Sequence, residues 1–231
     1  MKKYTISPIR QTITVGYKKT QVYNFSELPK DVQDSLVEDF DRDSLSDDFF
    51  DFDIDFLIDE IINDAYEKYA LTITCVPYDL SYTQGSGATF VTDNIVGDDL
   101  RKFLIKSFPD FAKSFRFPIL FDYFIESSTL QFMEARSANY NNVFFETCID
   151  VNIDNFPHVE DYLSKKAYEL EKILDDFSYD VSGKITSRLY DAYEQYTSDE
   201  NVECILEDDN YYLIDVTSID PCNVRKTNHY L

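Results

Sequence analysis

An α+β fold is predicted, with antiparallel hairpins packed against several helices, one of them long and C-terminal. Residues 11–25 alternate apolar and polar side chains as strands do. Apolar residues from Val159 to Ala192 recur at intervals of three and four, which is helical spacing. Turn signals at Gly85, Gly87 and Ser127–Ser128 separate further short apolar runs.

"QTITVGYKKTQVYNF" supplies one or two strands. Ser26 then reads as an N-cap, and Pro29 falls in a first turn, where its missing N–H does no harm. Val32, Leu36, Val37 and Phe40 predict a helix to about Asp43. "DFFDFDIDFLIDE", from Asp48 to Glu60, can be read two ways. As a strand, Asp51, Asp53 and Asp55 share a face; as a helix, Phe50, Ile54, Leu57, Ile58, Ile61 and Ala65 form one stripe. Strict alternation stops at Phe56 while the helical stripe continues to Tyr69, so length selects the helix. Ser44 or Ser46 can cap it. Asp47, Asp48 and Asp51 then lie near its N-terminus, where the helix dipole favours negative charge.

"LTITCVPYDLSY" is strand-like with an interruption at Pro77, and "QGSGATF" turns the chain into a return strand reaching Thr92. Gly97 to Phe108 reads as a helix. "FPILFDYFIESSTLQFMEA" reads as a hairpin turning near Ser127–Ser128, and "VFFETCIDVNI" as another strand. The long helical pattern opens at Pro157–His158, with Ser182–Gly183 the natural place for a kink. A short helix near 198–206 and a strand at "YYLID" close the fold. Residues 1–214 are read as one domain, and 215–231 as a loose tail.

Acids number 44 against 21 bases, for a net charge of −23, yet 44% of the 231 residues are hydrophobic. That apolar content supports a core and excludes a disordered acidic tail. Free nucleic acid is an unsuitable partner, because phosphates require clustered Lys and Arg. A basic protein surface is the expected one. The charge is also polarised: Glu27–Lys68 holds sixteen acids and three bases, a balance of −13, whereas Arg101–Arg116 holds five bases and one acid, a balance of +4. No apolar run follows the N-terminal lysines and none approaches the ~20 residues of a membrane span. The expectation is a cytoplasmic protein with reduced thiols.

Several chemistries fail on spacing. The four cysteines (Cys75, Cys148, Cys204 and Cys222) form no C-x-x-C pair, so no metal site is expected. An EF-hand starting at Asp51 would need Gly and Glu where Phe56 and Ile62 stand. No lysine follows Gly85–Gly87 as a P-loop requires. His158 and His229 are the only histidines, one at a helix start and one beside the C-terminus, so neither reads as a triad member. No catalytic residue and no cofactor is assigned. If a ligand pocket exists, it is expected at the glycine turn, around Tyr82, Gln84, Gly85, Ser86, Gly87 and Phe90.

Four stretches carry a resemblance: "YNFSELPKDVQ", "LSYTQGSGATF", "SRLYDAYEQYTSDENVECI" and "DDNYYL". In this order they are similar to a family of small bacteriophage-encoded proteins with a Y-x-Q-G-D-G-A-x-F motif, some of which carry an antitoxin label. The resemblance spans about residues 20–214. Ser86 departs from the family's Asp, Ala192 from a frequent Leu, and the Asp-Gly that commonly follows the last strand is missing at 215–218. The resemblance implies a phage source and a shared fold, and places the protein in a bacterial host cell.

With the charge, it leads to an expected function in binding: an acidic, DNA-mimic-like inhibitor of a host nucleic-acid enzyme, such as a restriction or CRISPR nuclease. Asp39, Asp41, Asp47, Asp48, Asp51, Asp55 and Asp59 are the residues expected to face the partner. The alternative is an antitoxin-like or regulatory module with a hydrophobic hot spot at Phe49, Phe52 and Phe56. A ligand-binding domain at the glycine turn is a third reading.

Overall fold

The computed structural model describes residues 11–15, 18–81, 86–134, 142–147, 157–208, 211–214 and 224–227. The fold is α+β, and its residues gather in two compact units. One comprises Met1–Phe49 and Tyr193–Leu231, the other Phe50–Ala192. The sequence reading has one domain over 1–214. The contacts divide that stretch because N-terminal and C-terminal strands pair with each other, while the residues between them build their own core.

The first unit is organised on a sheet. Strands β1 (Gln11–Val15) and β2 (Lys18–Tyr23) form a hairpin in which Thr12 faces Gln21. β7 (Tyr211–Ile214) pairs antiparallel with β2, and β8 (Val224–Thr227) with β7, giving the order β1-β2-β7-β8. Residues 224–227, expected in a loose tail, are therefore an edge strand. A 3-10 turn follows at Phe25–Glu27, where the Asn24 N–H donates to the Glu27 carboxylate at 3.0 Å. Ser26 lies inside this turn and caps nothing; its N–H and hydroxyl donate to Glu207 at 2.7 and 2.8 Å.

Helix α1 (Lys30–Glu38) starts directly after Pro29 and stops at Asp39, earlier than the apolar spacing predicts. Helix α2 (Arg42–Asp48) is capped by Asp41, whose carboxylate accepts from the Ser44 N–H at 3.4 Å. The Asp41 carboxylate satisfies an orphan N–H and complements the positive end of the dipole, and because the helix begins at Arg42, Ser44 and Ser46 lie inside it and cap nothing. Helix α8 (Asp199–Glu207) has Ser198 as its cap, accepting from the Asn201 N–H at 3.2 Å. Between sheet and helices lie Tyr23, Phe25, Leu28, Val37, Leu45, Val202, Leu206 and Tyr212, all buried.

A π-helical turn, Phe49–Asp53, leads into α3 (Ile54–Tyr69) of the second unit. The wider turn shifts the apolar stripe by one residue. Phe49 is thus only 2% exposed, whereas Phe50 is at the surface. Further along, Ile54, Ile61 and Ala65 are buried, with Leu57 and Ile58 partly so. The short strands β3 (Tyr78–Asp79) and β4 (Gly87–Ala88) pair antiparallel, and an isolated bridge joins Cys75 to Val91.

Helices α4 (Gly97–Ser107), α5 (Pro109–Lys113) and α6 (Pro118–Glu126) follow, then the hairpin β5 (Ser128–Met133) and β6 (Asn142–Thr147). The hairpin predicted over 117–135 is therefore wrong in its first half. Pro118 opens a helix at a position that suits it, and Phe121, Phe124 and Ile125 bury one face at helical spacing. Helix α7 (Pro157–Tyr196) has 40 residues and passes through Ser182–Gly183 without a break. Its Phe177 meets Tyr69, Phe103, Phe108 and Phe132 at centroid distances of 5.1, 5.4, 5.3 and 5.9 Å, the first three edge-to-face. Among the described residues no helix is long and apolar enough to cross a membrane.

Candidate functional site

All seven carboxylates expected to face a partner are exposed. Asp39, Asp41, Asp47 and Asp48 belong to the first unit, and Asp51, Asp55 and Asp59 to the second. Two have local duties: Asp41 caps α2, and Asp39 accepts from the Ser35 hydroxyl at 3.5 Å. Asp47, Asp48, Asp51, Asp55 and Asp59 have no ion-pair partner among the described residues.

Helix α3 sorts its acids by face. Asp55 and Asp59 stand one turn apart on one flank, about 6 Å along the axis at 1.5 Å per residue. Glu60 and Asp64 stand on the other flank, and Arg188 of α7 holds both, at 2.8 and 2.5 Å. Phe56 lies between the flanks and is 74% exposed. Near the helix start, Phe50 and Tyr78 stack with rings 9° apart and centroids 6.4 Å apart. Burial, then the Asp55 carboxylate, raise the Tyr78 phenol above its usual range. Of the aromatic hot spot expected at Phe49, Phe52 and Phe56, Phe49 is core, Phe56 is exposed, and the Phe52 side chain lies outside the described residues.

Arg188 also borders a groove of about 430 Å³ between α3 and α7. Its apolar floor is Ile61, Ala65, Val181 and Ile185, and Lys68 and Lys184 sit at its rim. Lys68 lies over the Tyr69 ring at 5.0 Å, and Lys184 is hydrogen-bonded to Asp180, which raises its pKa. Asp64 and Glu67 also line it, so the groove offers an apolar floor with charges of both signs around it. The sequence reading missed it. Its one signal was Arg188 on the flank of the long apolar stripe, a cation placed to meet an acidic neighbour.

The glycine turn is described only in part; Tyr82, Gln84 and Gly85 lie outside the described residues. Ser86 bonds the Ser81 hydroxyl at 3.1 Å, and Gly87 has φ 152°, a value that favours glycine. Ala88 is tied to Thr186 of α7, its N–H donating to the threonine hydroxyl at 2.8 Å. Phe90 is fully buried against Phe132, with centroids 4.9 Å apart, so it serves the core and lines no opening.

Among the described residues no group of three or more His, Cys, Asp or Glu side chains could hold a metal ion. Cys75 and Cys204 are free and exposed, and His158 is exposed in the first turn of α7. Cys148, Cys222 and His229 lie outside the described residues. No family model, curated protein or solved structure matches the chain.

Proposed function

We propose that this protein acts by binding a basic protein surface through the outward face of α3, in the manner of a nucleic-acid mimic. The observation that carries the reading is the set of exposed carboxylates at Asp51, Asp55 and Asp59, unmatched by cations and placed beside the exposed Phe56. Fixed charges on a helix need no ordering before they meet a cationic groove, and they steer encounter with it. A nucleic-acid groove offers such cations, placed for phosphates that rise about 3.4 Å along the helix axis on each strand. With the sequence resemblance to phage proteins, the partner is a host nucleic-acid enzyme such as a restriction or CRISPR nuclease, and the effect is inhibition.

The test is capture from a bacterial lysate on the immobilised protein, with elution by increasing salt. Captured proteins are then assayed for DNA binding with and without added protein. The expected result is a nucleic-acid enzyme released steeply by salt and displaced from DNA. The variant Asp51→Lys/Asp55→Lys/Asp59→Lys loses both effects while its circular dichroism stays native. Retained binding by that variant overturns the reading.

Phe56 favours a second reading, an antitoxin-like module with an apolar anchor. Its mark is a single partner that survives high salt and is lost on Phe56→Ala, because screening acts on exposed charge and leaves apolar contact intact.

A further inference from the structure

At the far end of the charge scale from α3, the α4–α6 pair carries an apolar strip with a basic rim. The Arg101 guanidinium of α4 meets the Asp122 carboxylate of α6 at 2.6 Å. Ile95, just before α4, exchanges two backbone hydrogen bonds with Leu130, just after α6, at 2.7 and 3.1 Å. The start of α4 and the end of α6 are therefore neighbours, and the two helices run antiparallel. One turn onward from Arg101 is Ile105, and one turn back from Asp122 is Ile119, so both fall on the same side of the ion pair, at the same end of the helix pair. Phe117 precedes α6 at that end. Ile105 is 51% exposed, Phe117 53% and Ile119 73%.

From Arg101 to Arg116 the charge is positive, five bases to one acid, although Asp98, Asp99, Asp122 and Glu126 flank that stretch. Lys106, Lys113 and Arg116 are exposed and have no carboxylate partner among the described residues, although the chain has about two acids for each base. Arg116 lies over the Phe117 ring at 5.6 Å. Lys102 is shared with Asp99 at 3.3 Å, and Asp110 is the acid of α5. Lys106 follows Ile105 and Arg116 precedes Phe117 in the chain, with Lys113 in α5 between them, so the surface apolar groups and the unpaired cations belong to one stretch, suited to an acidic, apolar-tipped partner.

We infer that this strip docks the α3 face of a second copy of the chain, with Phe56 against Ile105, Phe117 and Ile119, and Asp51, Asp55 and Asp59 against Lys106, Lys113 and Arg116. Both surfaces lie in the second unit. The net charge of −23 repels a second copy at long range. At physiological ionic strength the Debye length is about 8 Å, so only charges in contact count, and those are complementary. The two patches differ, so each copy offers one of each, and the contact either is made twice about a two-fold axis or adds copies head to tail. Self-association would cover the same face as a host partner. The inference rests on the reading of α3 as a docking face and is independent of the partner's identity.

Sedimentation velocity of the purified chain tests it without any host protein. At about 0.15 M salt the average mass is expected to rise with protein concentration, and at about 1 M salt to return to the monomer. Lys106→Glu/Lys113→Glu/Arg116→Glu alone and Asp51→Lys/Asp55→Lys/Asp59→Lys alone should each stay monomeric, with native circular dichroism. An equimolar mixture of the two should associate again, because each reversed patch meets an opposite one. Ile119→Ser offers a milder variant that weakens association without altering charge. A wild-type chain that is monomeric throughout overturns the inference, as does association that survives either reversal or a mixture that stays monomeric. Host capture that persists while self-association fails removes this inference and leaves the proposed function standing.

Discussion

Arg188 of α7 grips Asp64 of α3 at 2.5 Å with one guanidinium nitrogen, and its other terminal nitrogen reaches Glu60 at 2.8 Å. One cation thus pairs with two acids on one flank of an acidic helix and leaves Asp55 and Asp59 on the other flank unmatched. The tie joins α3 to α7 through exposed carboxylates on the flank nearer Arg188, while Asp55 and Asp59 point to solvent.

Because the pair is partly exposed, its contribution is modest. Arg188→Ala should lower stability by about 0–1 kcal/mol, and less at high salt. Arg188→Glu should cost more, because it sets like charges side by side. Urea midpoints at low and high salt check both. A midpoint that does not move at low salt for either variant would mean that the tie does no structural work.

The π turn is testable through two phenylalanines. Phe49 is buried between Tyr193 and Tyr196, with centroids 5.5 and 5.4 Å away, whereas Phe56 is exposed. Phe49→Ala should cost about 3–5 kcal/mol. Phe56→Ala should stay within about 0.5 kcal/mol of wild type. The opposite ranking in denaturant would mean that the stripe does not shift at Phe49.

Tyr212 supplies a pH dependence. Burial, then the Glu207 carboxylate, push its phenol up to about 12. The hydroxyl donates to the Leu206 carbonyl at 2.9 Å. In the unfolded chain a tyrosine titrates near ~10. Between those values the folded state holds a proton that the unfolded state has lost, so stability falls as pH rises. It is fully present below the unfolded value and lost as pH climbs through the folded one. Tyr23 is raised in the same direction, by burial and then Glu27, and shares the effect. Tyr212→Phe should lose about 1 kcal/mol at neutral pH. It should also flatten the alkaline limb; a limb unchanged from wild type would assign it to other groups.

Ser178 is buried in α7 with no hydrogen-bond partner for its hydroxyl. Removing an unsatisfied polar atom relieves its desolvation cost, so Ser178→Ala should stabilise by about 1 kcal/mol. Thermal unfolding reads the change. A drop in melting temperature would show that the hydroxyl is satisfied in solution.

Local pattern by itself determined a good deal. The spacing from Val159 to Ala192 is enough for α7, because a helix needs only its own neighbours at three and four residues. The short helix near 198–206 is legible for the same reason, and the acids of Asp48–Glu60 fall on a helix by the length of the stripe. What spans the chain was not legible. β2 pairs with β7 across roughly 190 residues, and no periodicity encodes which strand meets which. That pairing divides the molecule into two units and makes an edge strand of residues 224–227. The segment 117–126 became α6 because Phe121, Phe124 and Ile125 found a core on one side, a choice that a short apolar run leaves open. Tertiary contact likewise decided which acids of α3 are spent on Arg188 and which face outward, since a charge pair across two helices depends on where the second helix lies. The sequence carried the long helices and the charge; the packing decided α6, the strand partners and which carboxylates meet a cation.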